Sequence, residues 1–209
     1  MLRVGLTGSI AVGKSYVSSA LAELGCRVLD ADSTAREVVA VGSEGLRRVV
    51  EAFGPEVLGA DGALDRARLG RVVFADAGKR QLLNSLLHPL IIAAQDRWLR
   101  ERGREDPAGV AVIDAALMIE TGSFRRFDEL VVVHCRADVQ LERLMRRDNL
   151  SREDAERRVA AQMPQAEKMR HADFLIDTSG TREETRARVI EVYERLRELA
   201  SRRAVEENL

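Results

Sequence analysis

The chain has 209 residues, 45% of them hydrophobic, and a formal net charge of −1 at pH 7. That length and apolar fraction suit one compact α/β domain carrying insertions, and the balanced charge gives no global pull toward nucleic acid or a membrane surface. Cys26 and Cys135 stand alone with no C-x-x-C anywhere, which argues against a disulfide framework or a zinc site and for buried free thiols. The N-terminus is expected to enter the first strand directly without a signal peptide, no apolar run approaches the ~20 residues of a membrane span, and a cytoplasmic protein is expected.

Leu2–Thr7 reads as a short buried strand. It leads into Gly8-Ser9-Ile10-Ala11-Val12-Gly13-Lys14-Ser15, which fits G-x-x-x-x-G-K-[ST], the phosphate-binding loop. Ser15–Leu24 reads as a helix with Val17, Ala20, Leu21 and Leu24 on one face, closed by Gly25. A strand, a glycine loop and a helix are the context this motif needs. The loop amides and the helix N-terminus surround phosphate oxygens, Lys14 adds a charge at the β- and γ-phosphates, and the Ser15 hydroxyl can ligand Mg²⁺. A nucleoside triphosphate is therefore the expected ligand.

Val28-Leu29 reads as a second strand ending at Asp30-Ala31-Asp32. Thr34-Ala35-Arg36-Glu37 fits a capping box, with its helix running on through Val39. Phe53-Gly54-Pro55 breaks the next helix and Asp61-Gly62 signals a turn. Arg66–Phe74 and Lys79–Leu87 read as helices, with Pro89 ending or kinking the second before the pattern resumes over Leu90–Arg102. Val110–Ile113, Leu130–His134 and Phe174–Ile176 are apolar enough for a parallel sheet covered on both faces. Between the last two lies a charged helical stretch, Asp138–His171. Thr181–Arg203 reads as a long amphipathic helix, with only the last few residues frayed. The expected architecture is α/β: a doubly wound parallel sheet with one helical insertion after the second strand and a second, arginine-rich one able to act as a lid. The core takes about residues 1–38, 108–136 and 172–209, the first insertion about 39–107, and the lid about 137–171. No oligomeric state is legible.

Phosphoryl transfer needs positioning, Mg²⁺, cations at the transferring group and often a carboxylate near the attacking hydroxyl. Asp32 lies just past a strand end, where ligands gather in open α/β sheets; it reads equally as a proton acceptor or as a helix cap. Asp114 ends the third strand, as a residue holding Mg²⁺ through water would, or as an ordinary polar terminus. Glu120 is a cap or a ligand. Gln140, Arg143 and Arg147 share one helix face at i, i+3 and i+7, from which two arginines can reach phosphates. Arg146, Arg152 and Arg157 read as solvated surface. His88, set among apolar residues, reads as a hydrogen-bonded core histidine. Lysine occurs only at positions 14, 79 and 168, against thirty arginines, a bias that reads as genomic.

Several segments, in order, resemble the dephospho-CoA kinase family. They are Leu6–Ile10 leading to Gly13-Lys14-Ser15, Val28-Leu29-Asp30-Ala31-Asp32, Leu83–Ile91 with its Leu-His-Pro-Leu-Ile, Gln140-Leu141-Glu142-Arg143 with Arg147, Ala161-Gln162-Met163, and Ala172-Asp173 before a strand and Gly180. The resemblance implies a P-loop kinase core, a helical acceptor-binding part and a lid. It implies transfer of the ATP γ-phosphate, with Mg²⁺, to the ribose 3′-hydroxyl of dephospho-CoA, the last step of CoA biosynthesis. It implies Asp32 as catalytic base, His88 at the acceptor site and Arg143 and Arg147 at the phosphates. Gly8, Ala11, Val12, Gly13, Lys14, Ser15 and Tyr16 are then the nucleotide-binding set. Three departures stand out: Ala116-Leu117-Met118-Ile119-Glu120 where the family has Pro-Leu-Leu-Phe-Glu, Tyr16 in place of threonine, and Thr178 in place of asparagine. A nucleoside or nucleotide kinase is the nearest alternative. Asp177-Thr178-Ser179-Gly180 also fits the D-x-x-G of GTPase switches, but no [NT]-K-x-D guanine-reading element accompanies it.

Overall fold

A computed structural model describes residues 1–206. Contacts divide the chain into two compact units, one of Met1–Leu29 with the residues from Glu101 onward, the other of Asp30–Arg100. The divisions fall at 29/30 and 100/101, both earlier in the chain than the boundaries near residues 38 and 107 expected from the sequence, and the expected lid stretch belongs to the first unit.

The first unit is built on β1 (Leu2–Gly8), α1 (Lys14–Glu23) and β2 (Arg27–Asp30). In the second unit lie α2 (Ala31–Glu37), α3 (Glu44–Phe53) and α4 (Arg66–Ala75), followed by most of α5 (Ala77–Glu105). Back in the first come β3 (Val110–Asp114), β4 (Glu129–His134), α6 (Ala137–Asp148), α7 (Arg152–Ala160), α8 (Gln165–Met169), β5 (Phe174–Asp177) and α9 (Arg182–Glu206). The expected fraying of the last few residues falls outside the described part. The sheet order is β2-β3-β1-β4-β5. β1 runs parallel to both β3 and β4, and β4 parallel to β5, so the ends Gly8, Asp114, His134 and Asp177 share one sheet edge.

Strict alternation decides which residues cover each face. Leu2, Val4 and Leu6 pair in register with Val110, Val112 and Val131 and pack with Val17 and Leu21 of α1 and Val189, Leu196 and Ala200 of α9. The opposite face holds Ala111, Ile113, Leu130 and Val132, all buried. There a Cβ on Gly5 would stand 2.5 Å from the Met118 sulfur, so only glycine lets the segment after β3 close down on the sheet. Cys26 and Cys135 are buried free thiols, and burial pushes the Cys26 thiol up to about 12, which keeps it protonated and inert.

Asp128 ties β1 to α9. Its carboxylate accepts from Arg3 at 2.7 Å and from Arg203 at 2.6 Å. Burial pushes this carboxyl up, but the hydrogen bonds from the Arg3 side chain and amide, with Arg203, outweigh it and hold it at about 2, below the ordinary 3.8. A depressed carboxylate contributes stability that is complete above its unfolded pKa and lost as pH falls through the folded one. Asp128→Asn is therefore expected to flatten the loss of melting temperature between about pH 4 and pH 2. A melting series over that window checks it; an unchanged slope would count against the Arg3–Asp128–Arg203 tie.

The second unit has its own small core of Val39, Val49, Val57, Leu69 and Val73, with Phe53, Leu83 and Leu87 against it. Two local expectations are corrected here. The helix after β2 begins at Ala31, with Asp30 as its N-cap, so Thr34 is not the cap of a box. Thr34 is buried inside that first turn and donates back to the Asp30 carbonyl at 3.2 Å. The helix ends at Glu37 rather than Val39. Pro89 does not end its helix either: it lies inside α5, which runs unbroken over 29 residues. The missing N–H orphans one carbonyl, that of Ser85, and both residues lie on an exposed stretch where water can take its place. Asp61-Gly62 does turn the chain, with Gly62 at φ 74° and an antiparallel bridge between Leu58 and Leu64.

Candidate active site

The phosphate-binding loop joins β1 to α1 and is held by its backbone. A Cβ on Gly8 would meet the Val133 carbonyl at 2.6 Å, and Gly13, at φ 88°, occupies the N-cap of α1 in the left-handed region. Ala11 is also left-handed, at φ 60°, a conformation that costs a residue with a Cβ about 1–2 kcal/mol. Ala11→Gly relieves it, less the extra chain entropy of glycine. A net gain of about 0.5–1 kcal/mol, or roughly 1–4 °C in Tm, is expected. Calorimetry of the two proteins reads this directly, and a lower Tm in the variant would refute it.

Around this loop lies a cavity of about 620 Å³, lined by Gly8 to Ser15 with Ala116, Arg143, Arg146, Arg147 and Gln162. The Ala11 and Gly13 amides have no acceptor among the described residues, and the first N–H groups of α1 are orphans by helix geometry. The Ser9 hydroxyl is buried and without a hydrogen-bond partner. Unused donors around a glycine loop at a helix N-terminus fit the oxygens of a polyphosphate.

Lys14 reaches across to an ion pair with Asp114 at the end of β3, whose side chain is 9% exposed. The Ser15 hydroxyl makes no hydrogen bond among the described residues. Ser15 and Asp114 thus give a hydroxyl and a carboxylate beside the loop. This suits Mg²⁺, which takes one or two protein ligands and fills its octahedron with water and phosphate oxygens.

The charged stretch after β4 brings more than its arginines. Gln140, buried on α6, donates to the Ile10 carbonyl at 2.8 Å, and the Ile10 amide donates to Gln162 at 2.7 Å. Gln165 links this clamp to the sheet, donating to Gln140 at 2.7 Å while its own carbonyl accepts from the Cys135 amide at 3.1 Å. Arg143 is held over Gly13 by Thr178, whose hydroxyl and carbonyl accept from it at 3.0 and 2.7 Å. The same hydroxyl donates to the Val12 carbonyl at 2.6 Å. Arg147 lines the cavity with its guanidinium on Asp148, at 2.8 and 3.1 Å.

Arg146 departs from its sequence reading: it too lines the cavity and has no partner among the described residues, whereas Arg152 and Arg157 form surface pairs with Glu156 and Asp154. Arg146 stands three residues after Arg143, so the same helix-face spacing that marks Arg147 reaches it as well; the run of charges around it is what makes it read as surface. Tyr16 lies outside the cavity lining, its hydroxyl donating to the Arg182 carbonyl at 3.1 Å. Asp177 turns inward on its own loop, accepting from the Ser179 amide and hydroxyl at 2.8 and 2.5 Å. The D-x-x-G match is thus a local turn.

In the second unit, the cap role open to Asp32 belongs to Asp30, which accepts from the Asp32 amide at 2.9 Å. The Asp32 carboxylate is exposed and has no partner among the described residues. His88 is no core histidine: it is exposed on α5, with both ring nitrogens free among the described residues. Both side chains are available to a ligand.

Known proteins agree with this arrangement. The family model for dephospho-CoA kinase matches residues 2–184. A dephospho-CoA kinase of Geobacter sulfurreducens is 46% identical over 190 residues, covering 91% of this chain and 96% of its own, and one of Geobacillus kaustophilus is 43% identical over 193 residues, covering 91% and 94%. Among solved structures, the dephospho-CoA kinase from Campylobacter jejuni superposes with a TM-score of 0.65 at 25% identity, over 93% of this chain and 96% of that one. A shikimate kinase from Bacteroides thetaiotaomicron, at 16% identity and a TM-score of 0.51 over 93% and 98%, shares the fold. A match running almost from end to end, through the loop, the two carboxylate-bearing strand ends and the glutamine and arginine helices, makes this chain a member of the dephospho-CoA kinase family.

Proposed function

We infer that the chain transfers the γ-phosphate of ATP to the ribose 3′-hydroxyl of dephospho-CoA, giving CoA and ADP, the final step of coenzyme A biosynthesis. The observation that carries the reading is the phosphate loop with its unused donors, Lys14 and Asp114 at one sheet edge, in a chain whose relatives along nearly its whole length bear this enzyme's name. The parts divide as core, helical acceptor-binding part and lid.

Lys14 and the amides of Ala11 to Ser15 hold the β- and γ-phosphates and neutralise charge that develops as the bond to the leaving oxygen lengthens. Ser15, with Asp114 through water, would hold Mg²⁺, which would supply positive charge to neutralise the phosphates. Asp32 is the base that orients the attacking hydroxyl and accepts its proton. His88, on the acceptor-binding part, donates to the acceptor. Arg143, Arg146 and Arg147 bring further cations to the phosphates and, as the arginine-rich helices close, exclude the water that would hydrolyse ATP. Tyr16 flanks the nucleotide from the first turn of α1. No helix among the described residues is long and apolar enough to cross a membrane. The reading is of a cytoplasmic enzyme with a small-molecule acceptor and no nucleic-acid partner.

The test is ADP release from Mg²⁺–ATP with and without dephospho-CoA, with the product weighed by mass spectrometry. Acceptor-dependent release with a product heavier by one phosphoryl group is the expected result. Release indifferent to dephospho-CoA would leave the nucleotide site standing and remove the acceptor.

A further inference from the structure

Lys168 is the largest side chain in the described chain to be completely buried, with its residue at 0% exposure. It lies on α8, in the charged stretch after β4, and no step above uses it. Its ammonium donates to the Ala116 carbonyl at 3.0 Å and pairs with Glu120 at 2.7 Å. The Thr7 hydroxyl donates to that same Ala116 carbonyl at 3.1 Å. Thr7 is the last residue before the phosphate loop, Ala116 lines the cavity, and Asp114 lies two residues upstream. One peptide carbonyl therefore joins the end of β1, the exit of β3 and α8.

Composition marks the same position. A chain with thirty arginines and three lysines takes arginine almost wherever a cation of either kind serves, the exposed Lys79 being the exception. Lys14 is required by the phosphate loop. Lys168 is required by its hole: an ammonium has three donors on one atom, whereas a guanidinium spreads five over a rigid plane and leaves most of them unmet in a fully buried site.

We propose that Lys168 is a positioning residue for phosphoryl transfer, fixing the Ala115–Glu120 segment so that the cavity wall and Asp114 keep their place beside the phosphate loop. It touches neither nucleotide nor acceptor. Its neutralisation of Glu120 is a second, separable effect, because an unpaired carboxylate beside a polyphosphate site also weakens the fold.

Three variants separate these effects: Lys168→Met, Glu120→Gln, which keeps an acceptor for the ammonium, and Lys168→Met with Glu120→Leu, which buries no unpaired charge. Turnover, melting temperature and the affinity for a non-hydrolysable ATP analogue are measured for each. Lys168→Met is expected to lower kcat 10- to 100-fold with nucleotide affinity within threefold, and Glu120→Gln to stay within fivefold of wild type. The double variant should regain the melting temperature while kcat stays at least tenfold down; it also serves if Lys168→Met alone fails to fold. Recovery of kcat together with the melting temperature would overturn the proposal, as would a Glu120→Gln loss equal to that of the double variant. The inference rests on the kinase reading, and wild-type turnover of dephospho-CoA tests that reading separately. Should wild type not use this acceptor, the same ratios are expected in its acceptor-independent ATP hydrolysis.

Discussion

Asp32→Asn is expected to lower kcat by about 10²–10⁴-fold, the range a positioned general base contributes, while ATP affinity stays within about threefold because the loop's donors are untouched. The substitution keeps size and removes only the ability to take a proton. The Asp32 carboxylate makes no hydrogen bond among the described residues, and the capping of α2 is done by Asp30, so no structural loss should accompany the kinetic one. An unchanged melting temperature with collapsed turnover is the expected pair of results. Asp30→Asn supplies the contrast: it alters the cap and should shift stability more than chemistry. Near-normal turnover in Asp32→Asn would assign proton removal elsewhere.

Lys14→Met is expected to be as damaging by a different route. It removes the cation at the transferring phosphoryl group, for which losses of about 10³–10⁵ in rate are typical. Nucleotide affinity should fall with it. The ion pair with Asp114 adds a second consequence. With Lys14 gone, a carboxylate whose side chain is 9% exposed loses its partner, at a cost of about 1–3 kcal/mol. Adding Asp114→Asn to Lys14→Met should return most of the melting temperature and none of the activity. If the double variant melted as low as the single one, the pair would not be what holds that strand end.

The sequence disclosed what is periodic and what is a motif. The strands at 110–113 and 130–134 and the glycine loop were legible because each is local: an apolar run, or residues at fixed spacing. The elements misjudged were those decided by water or by a neighbour. Pro89 reads as an end or a kink, and of the two the end is excluded; the spacing does not say that Ser85 and Pro89 face solvent. The helix after β2 was started at Thr34 instead of Ala31 because Asp30 and Thr34 are both competent caps, and only the chain's direction after β2 chooses between them. At the site, Lys14, Ser15, Arg143 and Arg147 lie where spacing put them, around one cavity. Lys168 was hidden in a run of charges that reads as surface, although the rarity of lysine was there to see. Thr178 reads as a departure from the family's asparagine, and nothing local announces that its hydroxyl bridges Arg143 and the Val12 carbonyl.

The glutamine clamp on Ile10 carries a consequence for how such a loop varies. Gln140 and Gln162 grip the carbonyl and amide of that residue and leave its side chain out of the bond. A grip on peptide groups imposes no identity on the residue gripped. The demand for an amide side chain falls instead on positions 140 and 162, which are 130 and 152 residues away in the chain. The loop is thus fastened from a helix, α6, and from the link between α7 and α8, in a stretch whose composition otherwise resembles ordinary solvent-facing surface.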